Sequence, residues 1–412
     1  MHETIGAPRQ AGSAPARSRM LPGHVRRWLL WGHRWFGLIG GILLVLIGIT
    51  GSFIVFYREI DAALNPALYT PAGPQQTVTL SEVMRIAAAA DSAPISTILA
   101  PDRTWPVWVV IHTHETQRGR FPNRWTTMVD PSNGKLLGRR DYVNAFALKV
   151  YRLHYTLLLY EWWGKELVGV VGFLMLGLAM SGLVLWWPRP GRFWRSVSVR
   201  KNVSLLRFVL DLHSAAGFWA LFALLMISIT GIGIIFPDVV RPIVGLLSQP
   251  TPDPSPQVET PPPAGTPLLS PDAMMRSAQA AKPGRTVAML NPPTEARNTW
   301  RVQFRAKGAD PAVRARGAIW LDPWTGSVVL DRASGSMSMG DRYLAEQLWL
   351  HNGAAFGLPG RVLVFIAGFA PIALFISGVM MWLKRRSGGT RTDRLVTAGR
   401  SSPRARSGGR AA

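Results

Sequence analysis

The chain has 412 residues, with 46 Lys and Arg against 23 Asp and Glu, a net charge of +23 and no cysteine. The lack of cysteine excludes disulfides, thiolate-held iron–sulfur clusters, C-x-x-C-H haem attachment and any cysteine nucleophile. The basic excess does not indicate nucleic acid, because it is clustered: residues 1–34, 188–212 and 384–412 hold 21 basic and three acidic residues, 18 of the 23 excess charges.

Four apolar stretches separate those segments. Trp35–Tyr57, Leu167–Trp187, Ser214–Phe236 and Val362–Leu383 each run 21 to 23 residues without Asp, Glu, Lys or Arg. At about 1.5 Å per residue, each is long enough to cross a ~30 Å hydrocarbon core. If the spans alternate, all three basic segments fall on one side, and the positive-inside rule makes that side the cytoplasm. Both termini are then cytoplasmic, and the basic excess meets membrane lipid. The first span is too long for a signal-peptide core and no small-residue cleavage site follows it, so it stays attached.

In chain order the sequence divides into a basic tail (1–27), a first span (28–57), an extracytoplasmic domain (58–148), a pre-span helix with the second span (149–187), a basic loop (188–212), a third span (213–236), a second extracytoplasmic segment (237–345), a pre-span helix with the fourth span (346–386), and a Gly/Ser/Arg-rich tail (387–412) expected to be disordered. Within the first domain the pattern predicts a helix over Leu80–Ala90, a strand over Val107–Thr113, and a second strand from Trp125 closed by an Asp130-Pro131-x-x-Gly134 turn. The second segment opens on eight prolines between Pro250 and Pro267, a stiff linker, and then repeats the series: helix Pro271–Ala281, strand Trp300–Arg305, and a strand closed by Asp322-Pro323-x-x-Gly326.

The repetition extends to the spans. His33 and Gly37 precede Thr50-Gly51, and His213 and Gly217 precede Thr230-Gly231 at the same spacings. Leu153-His154, Gly164-Lys165 and Ser181-Gly182 have counterparts in Leu350-His351, Gly360-Arg361 and Ser377-Gly378. The expected fold is therefore an integral membrane, all-α four-helix bundle built from a two-fold internal repeat, with two small α+β extracytoplasmic domains.

Four of the eight histidines occupy these duplicated positions: His33 and His213 at the cytoplasmic ends of spans one and three, His154 and His351 at the extracytoplasmic starts of spans two and four. Repeats of the same topology are related by an axis along the membrane normal, so equivalent residues meet at equal depth. Two opposed imidazoles at one depth suit the axial positions of a six-coordinate b-type haem, and Gly37 and Gly217, one turn past their histidines, leave room for a porphyrin. A tetrahedral zinc site would need more ligands than either pair supplies. Arg34, Arg152, Lys165 and Arg361 are placed to meet haem propionates. His112 and His114 fall on an extracytoplasmic strand and are expected to face solvent, and Trp28, Trp31, Trp162, Trp163, Trp186, Trp187 and Trp382 are expected to form the interfacial belt.

These motifs, His33-Arg34-Trp35-Phe36-Gly37 with Thr50-Gly51, Leu153-His154, Asp211-Leu212-His213 with Thr230-Gly231, and Leu350-His351 through Gly357-Leu358-Pro359-Gly360-Arg361, resemble those of the PepSY-associated transmembrane family over about residues 28 to 386. The family includes ferric-siderophore reductases of the bacterial inner membrane. The resemblance implies two b-type haems, one on His33 and His213 and one on His154 and His351. It also implies PepSY-like domains between the spans, and electron transfer to a ferric siderophore or chelate on the periplasmic side. No FAD- or NAD-binding domain is visible, so the donor is a quinol or another reductase. Two readings compete: a non-redox membrane anchor whose PepSY-like domains bind a partner such as a protease, and a transporter, which the absence of charged residues in the spans disfavours.

Overall fold

The computed structural model describes residues 22–115, 123–251, 256–259, 262–263, 265–294, 297–309, 317–332 and 337–400, with side chains to residue 386. Most of the basic tail, part of the proline-rich linker and the last twelve residues lie outside the described residues.

The first half runs α1 (Gly23–Val55), α2 (Tyr57–Leu64), α3 (Pro66–Tyr69), α4 (Leu80–Ala90), β1 (Ile95–Leu99), β2 (Trp108–Thr113), β3 (Arg124–Val129), β4 (Leu136–Asp141), α5 (Phe146–Thr156) and α6 (Gly164–Trp186). A short α7 (Phe193–Ser196) leads to α8 (Leu205–Ile235), α9 (Pro237–Gly245), α10 (Pro271–Ala281), β5 (Arg285–Asn291), β6 (Trp300–Ala306), β7 (Ala318–Leu321), β8 (Val328–Arg332), α11 (Met339–His351), α12 (Gly357–Ala367) and α13 (Ala370–Arg400). Four helical segments are long and apolar enough to cross a membrane: α1, α6, α8 and the Ala354–Arg386 stretch of α12 and α13. With Ile39, Ile42, Val170, Phe222 and Ile366 more than half exposed on their outer faces, these segments and the antiparallel sheet make a membrane protein with a mixed helix-and-sheet head.

Helix α1 packs against α6 and α13, and α8 packs against the same two, so α1 and α8 stand diagonally across a four-helix ring. The fourth span is broken at Gly368-Phe369. Pro371 has no N–H to give to the preceding turn, and the Phe369 N–H bonds Ile366 O instead of the Phe365 carbonyl. Ser52 of α1 donates its hydroxyl to that carbonyl at 2.8 Å, so the break is satisfied from the neighbouring helix. The crossing is close: a Cβ on Gly48 would meet Gly368 O, and one on Gly368 would meet Ser52 Oγ. Helix α13 continues past its apolar stretch to Arg400, so residues 387–400, expected to be disordered, carry on the helix; no proline interrupts the chain between Pro371 and Pro403.

The strands form one antiparallel sheet in the order β4-β3-β2-β1-β5-β6-β7-β8, rather than two separate sheets. Each set of four begins with an edge strand, and pairing β1 with β5 (Ile98 opposite Leu290, Leu99 opposite Met289) removes both edges at once. One core follows from that junction: Leu80, Val83 and Ala87 of α4 and Met274 and Ala278 of α10 pack with Trp108, Val110, Trp300, Val302 and Phe304 on the same face. The predicted turns form, with Gly134 and Gly326 at positive φ (72° and 73°) donating to Asp130 O and Asp322 O at 3.0 and 2.9 Å.

The opposite face rests on α2 and α3 through Tyr69, Trp105, Val107, Val109 and Met128. Charged ties join this head to the bundle. Asp102 accepts from Arg58, just beyond α1, at 2.7 Å and from Arg305 of β6 at 3.0 Å, while Arg361 of α12 reaches Glu59 at 2.7 Å and Val55 O at 2.8 Å.

Candidate functional site

His33 is the eleventh residue of α1 and His213 lies more than two turns inside α8, because both helices extend beyond their apolar stretches. Their diagonal placement brings the rings together edge to face across the bundle, with centroids 6.3 Å apart and planes at 80°. Each Nδ1 lies 2.8 Å from a serine hydroxyl on the next helix of the ring: His33 on Ser181 of α6, His213 on Ser377 of α13. The serine hydrogens are already committed to their own helices, Ser181 to Leu178 O at 3.2 Å and Ser377 to Ala373 O at 2.6 Å. The serine oxygen therefore accepts Nδ1–H, which fixes the proton on Nδ1 and leaves the Nε2 lone pair available.

The second pair stands at the sheet end of the bundle. His154 stands in the last turn of α5 and His351 ends α11, with ring centroids 6.2 Å apart. Here Nδ1–H donates to a backbone carbonyl, His154 to Ile47 O and His351 to Ile227 O, each at 3.0 Å. Thr50 and Thr230 flank the same nitrogens at 3.3 and 3.2 Å, their own hydroxyls donating to Leu46 O and Met226 O. Gly51 and Gly231 explain the close approach, since a Cβ there would lie 2.9 Å from Cε1 of His154 and 3.0 Å from Cε1 of His351. The duplicated Thr-Gly pair is thus a cradle for an imidazole delivered by the following helix.

Among the described residues no hydrogen bond reaches Nε2 of any of the four histidines. Each pair therefore presents two neutral nitrogen donors to whatever lies between the rings, and can hold one planar, metal-centred group. No cluster of three or more His, Asp or Glu able to hold a bare metal ion occurs among the described residues.

A cavity of about 440 Å³ opens beside the His33–His213 pair. Gly37 and Gly217 line it as expected, and a Cβ on either would meet only a leucine methyl, at 3.8 and 3.6 Å. Its missing side chains are therefore room for a guest rather than for a protein neighbour. Trp186 and Trp382, expected in the interfacial belt, line the cavity instead; Trp186 is held there by stacking on Phe218 at 4.8 Å. The other five tryptophans are more than half exposed. Arg26, Arg34 and Arg385 also line the cavity, and Arg34 lies over Trp35. The nearby acid is neutralised, because buried Asp211 is paired with Arg200 and Arg207 at 2.9 and 3.0 Å.

Arg152 lies two residues before His154 on α5, and Lys165 is the second residue of α6. Arg361 is committed to the α1–α2 junction through Val55 O, Glu59 and the Phe56 ring. His112 and His114 belong to neither pair: one lies on β2 and the other just past its end. His112 is fully buried, contrary to the expectation of a solvent-facing residue, because it continues the inward Trp108-Val110 face of β2 opposite Trp125; its Nδ1 donates to Ala93 O at 3.0 Å. His114 meets Asp91 at 2.9 Å, and Arg139 meets the same carboxylate at 2.8 Å. Burial alone would raise the Asp91 pKa, but the bonds from His114, the Ala93 N–H and Arg139 outweigh it and hold the carboxyl at about 2.

Sequence spacing found the four histidines but not the roles of Ser181, Ser377, Thr50 and Thr230. Their recurrence at equivalent positions in both halves was the available signal. Arg26 and Arg385 carried none, as interfacial arginines are common.

No curated protein matches the chain. The sequence profile of one family does, covering residues 30–385, and with 356 of 412 residues matched the chain belongs to the PepSY-associated TM region family.

Proposed function

We propose that the protein is a di-haem electron carrier of the bacterial inner membrane, with one b-type haem between His33 and His213 and another between His154 and His351. The observation that carries the reading is the matched geometry of the two pairs. Metal–nitrogen bonds of about 2 Å on either side of an iron put two imidazole centroids roughly 6 Å apart, and the observed separations are 6.3 and 6.2 Å. Nδ1 of every ring is already anchored, as a metal-ligating imidazole requires. The cavity beside the first pair is apolar along its length and carries Arg26, Arg34 and Arg385, which suits a flat apolar ring with a carboxylate edge.

When bound, the haem iron supplies one-electron redox chemistry. The protein's own residues do the rest. The histidines hold and orient, the serines, threonines and carbonyls fix each imidazole's proton on Nδ1, and the glycines leave space. With both histidines of a pair engaged, a bound haem iron would have no position left for oxygen, which would favour electron transfer over oxygen binding.

The sheet lies on the periplasmic side and the basic loop 188–212 and both termini on the cytoplasmic side, as the charge distribution supports. Measured along α1, His33 and the Ile47 carbonyl that holds His154 are fourteen residues apart, about 21 Å. The two pairs thus serve opposite faces of one membrane. Electrons enter on the cytoplasmic side from a reductase or from quinol, and leave to a ferric siderophore or chelate on the sheet side, as the resemblance of the duplicated histidine motifs to those of ferric-siderophore reductases implies. Reduction releases iron because hard oxygen donors hold ferrous iron less tightly than ferric.

The test is the visible spectrum of detergent-purified protein, oxidised and dithionite-reduced, with haem quantified against protein. Two low-spin b haems per chain support the reading. A colourless protein from haem-replete cells refutes it and favours a partner-binding anchor.

A further inference from the structure

The two halves differ at two facing positions beside the sheet-end histidines. Gln347 lies four residues before His351, hence on the same face of α11 one turn nearer the sheet. It is 5 % exposed, and its Nε2 has no hydrogen-bond partner among the described residues. The amide lies flat on α8 at Gly233, where a Cβ would come within 2.6 Å of Nε2 and 2.9 Å of Cδ. Counting from the histidine and from the Thr-Gly pair, the equivalent residues of the first half are Val150 and Phe53, and Phe53 packs edge-on against Phe146 at 5.5 Å. One half is closed by hydrocarbon. The other exchanges a phenylalanine for a glycine and fills the space with an amide.

An unpaired buried donor is costly, and a leucine of similar volume would avoid that cost. The arrangement therefore makes sense if an oxygen acceptor arrives at the site. Resting on the reading that His154 and His351 hold a haem, we propose that the Gln347 amide donates a hydrogen bond from Nε2 to a haem carboxylate. The macrocycle's only strongly polar groups are its two carboxylates, and Gln347 is displaced from His351 toward the sheet and the aqueous side, where carboxylates belong.

The consequence is asymmetry. His154, His351 and their duplicated Thr-Gly cradles are alike in the two halves, whereas an amide on α11 facing valine and phenylalanine in the other half makes the two sides of the site unequal towards a carboxylate.

The test uses full-length protein in detergent with three variants: Gln347→Leu, Gln347→Met, which keeps an unbranched chain should leucine disturb folding, and Gln347→Glu, which replaces the donor with a second carboxylate. The His33–His213 haem serves as an internal control for folding, and His154→Ala identifies which spectral component belongs to the other site. The expected result is that Leu and Met lower the midpoint potential of the His154–His351 haem alone and speed its loss to apomyoglobin roughly tenfold, a loss of about 1.4 kcal/mol. Glu should weaken retention further. If the Leu and Met variants keep two haems with both midpoint potentials and both loss rates as in the parent, Gln347 is a packing residue and the proposal fails. If the parent protein binds no haem at all, the underlying reading fails instead.

Discussion

Ser181 Oγ lies 2.8 Å from Nδ1 of His33 although 148 residues separate them, and Ser377 stands in the same relation to His213 across 164. Each bond joins neighbouring helices of the ring, so the rotamer of each imidazole is set by helix packing rather than by its own helix. Ser181→Ala and Ser377→Ala should weaken haem binding at that end roughly 10- to 100-fold. They should also shift the midpoint potential of that haem alone, and spectroelectrochemical titration of both components checks this.

His154→Ala and His351→Ala should each remove one haem of two, and His33→Ala and His213→Ala the other. The pairs share no histidine and no anchoring residue. Pyridine haemochrome stoichiometry near one per chain is the expected reading, and two per chain in all four variants would disprove the ligand assignment.

Gly51→Ala places a methyl 2.9 Å from Cε1 of His154, closer than carbon atoms tolerate. The ring must turn away, so this variant should lose the sheet-end haem while keeping the other. Absorbance in the reduced α band, resolved into its two components, distinguishes this from general unfolding.

Gly48→Ala strikes the Gly368 carbonyl at the α1 crossing, where no side chain can yield. Overpacking of this kind costs about 1–3 kcal/mol. A lower thermal midpoint in detergent is expected, with both haem spectra unchanged below the transition.

Asp91 makes the head domain acid-sensitive. Its folded pKa, about 2, lies below the ordinary carboxylate value near 4, so the stability it contributes is fully present above pH ~4 and is lost as pH falls toward 2. Asp91→Asn should flatten the pH dependence of unfolding in that window while lowering stability at neutral pH. Chemical denaturation followed by tryptophan fluorescence at pH 2.5 and 7 provides the comparison.

The four spans, the Asp-Pro-x-x-Gly turns and α4 and α10 are legible in the sequence because each depends on neighbours a few residues away. Hydropathy over twenty residues suffices for a span, and alternation closed by Asp130 to Gly134 suffices for a strand and its turn. The pairing of His33 with His213 was also legible, since equal spacing from Thr-Gly in both halves implies equal depth. Burial of His112 was not, because the face of β2 that points inward depends on α4 and α10 lying on that side. The inward side of Trp186 is not legible for a related reason: composition places a tryptophan near the membrane boundary but does not say whether it faces lipid or the interior.

The sequence by itself determined which four stretches are long and apolar enough to cross a membrane, where the basic charge clusters between and beyond them, and which four histidines recur in register. Only the tertiary structure decided that β1 joins β5 to make one sheet, that serines anchor one histidine pair and carbonyls the other, and that Gln347 is left with an unpaired donor. The first group follows from local periodicity and charge, which the chain carries wherever it goes. The second depends on contacts across a hundred residues or more, which exist only once the helices have chosen their neighbours.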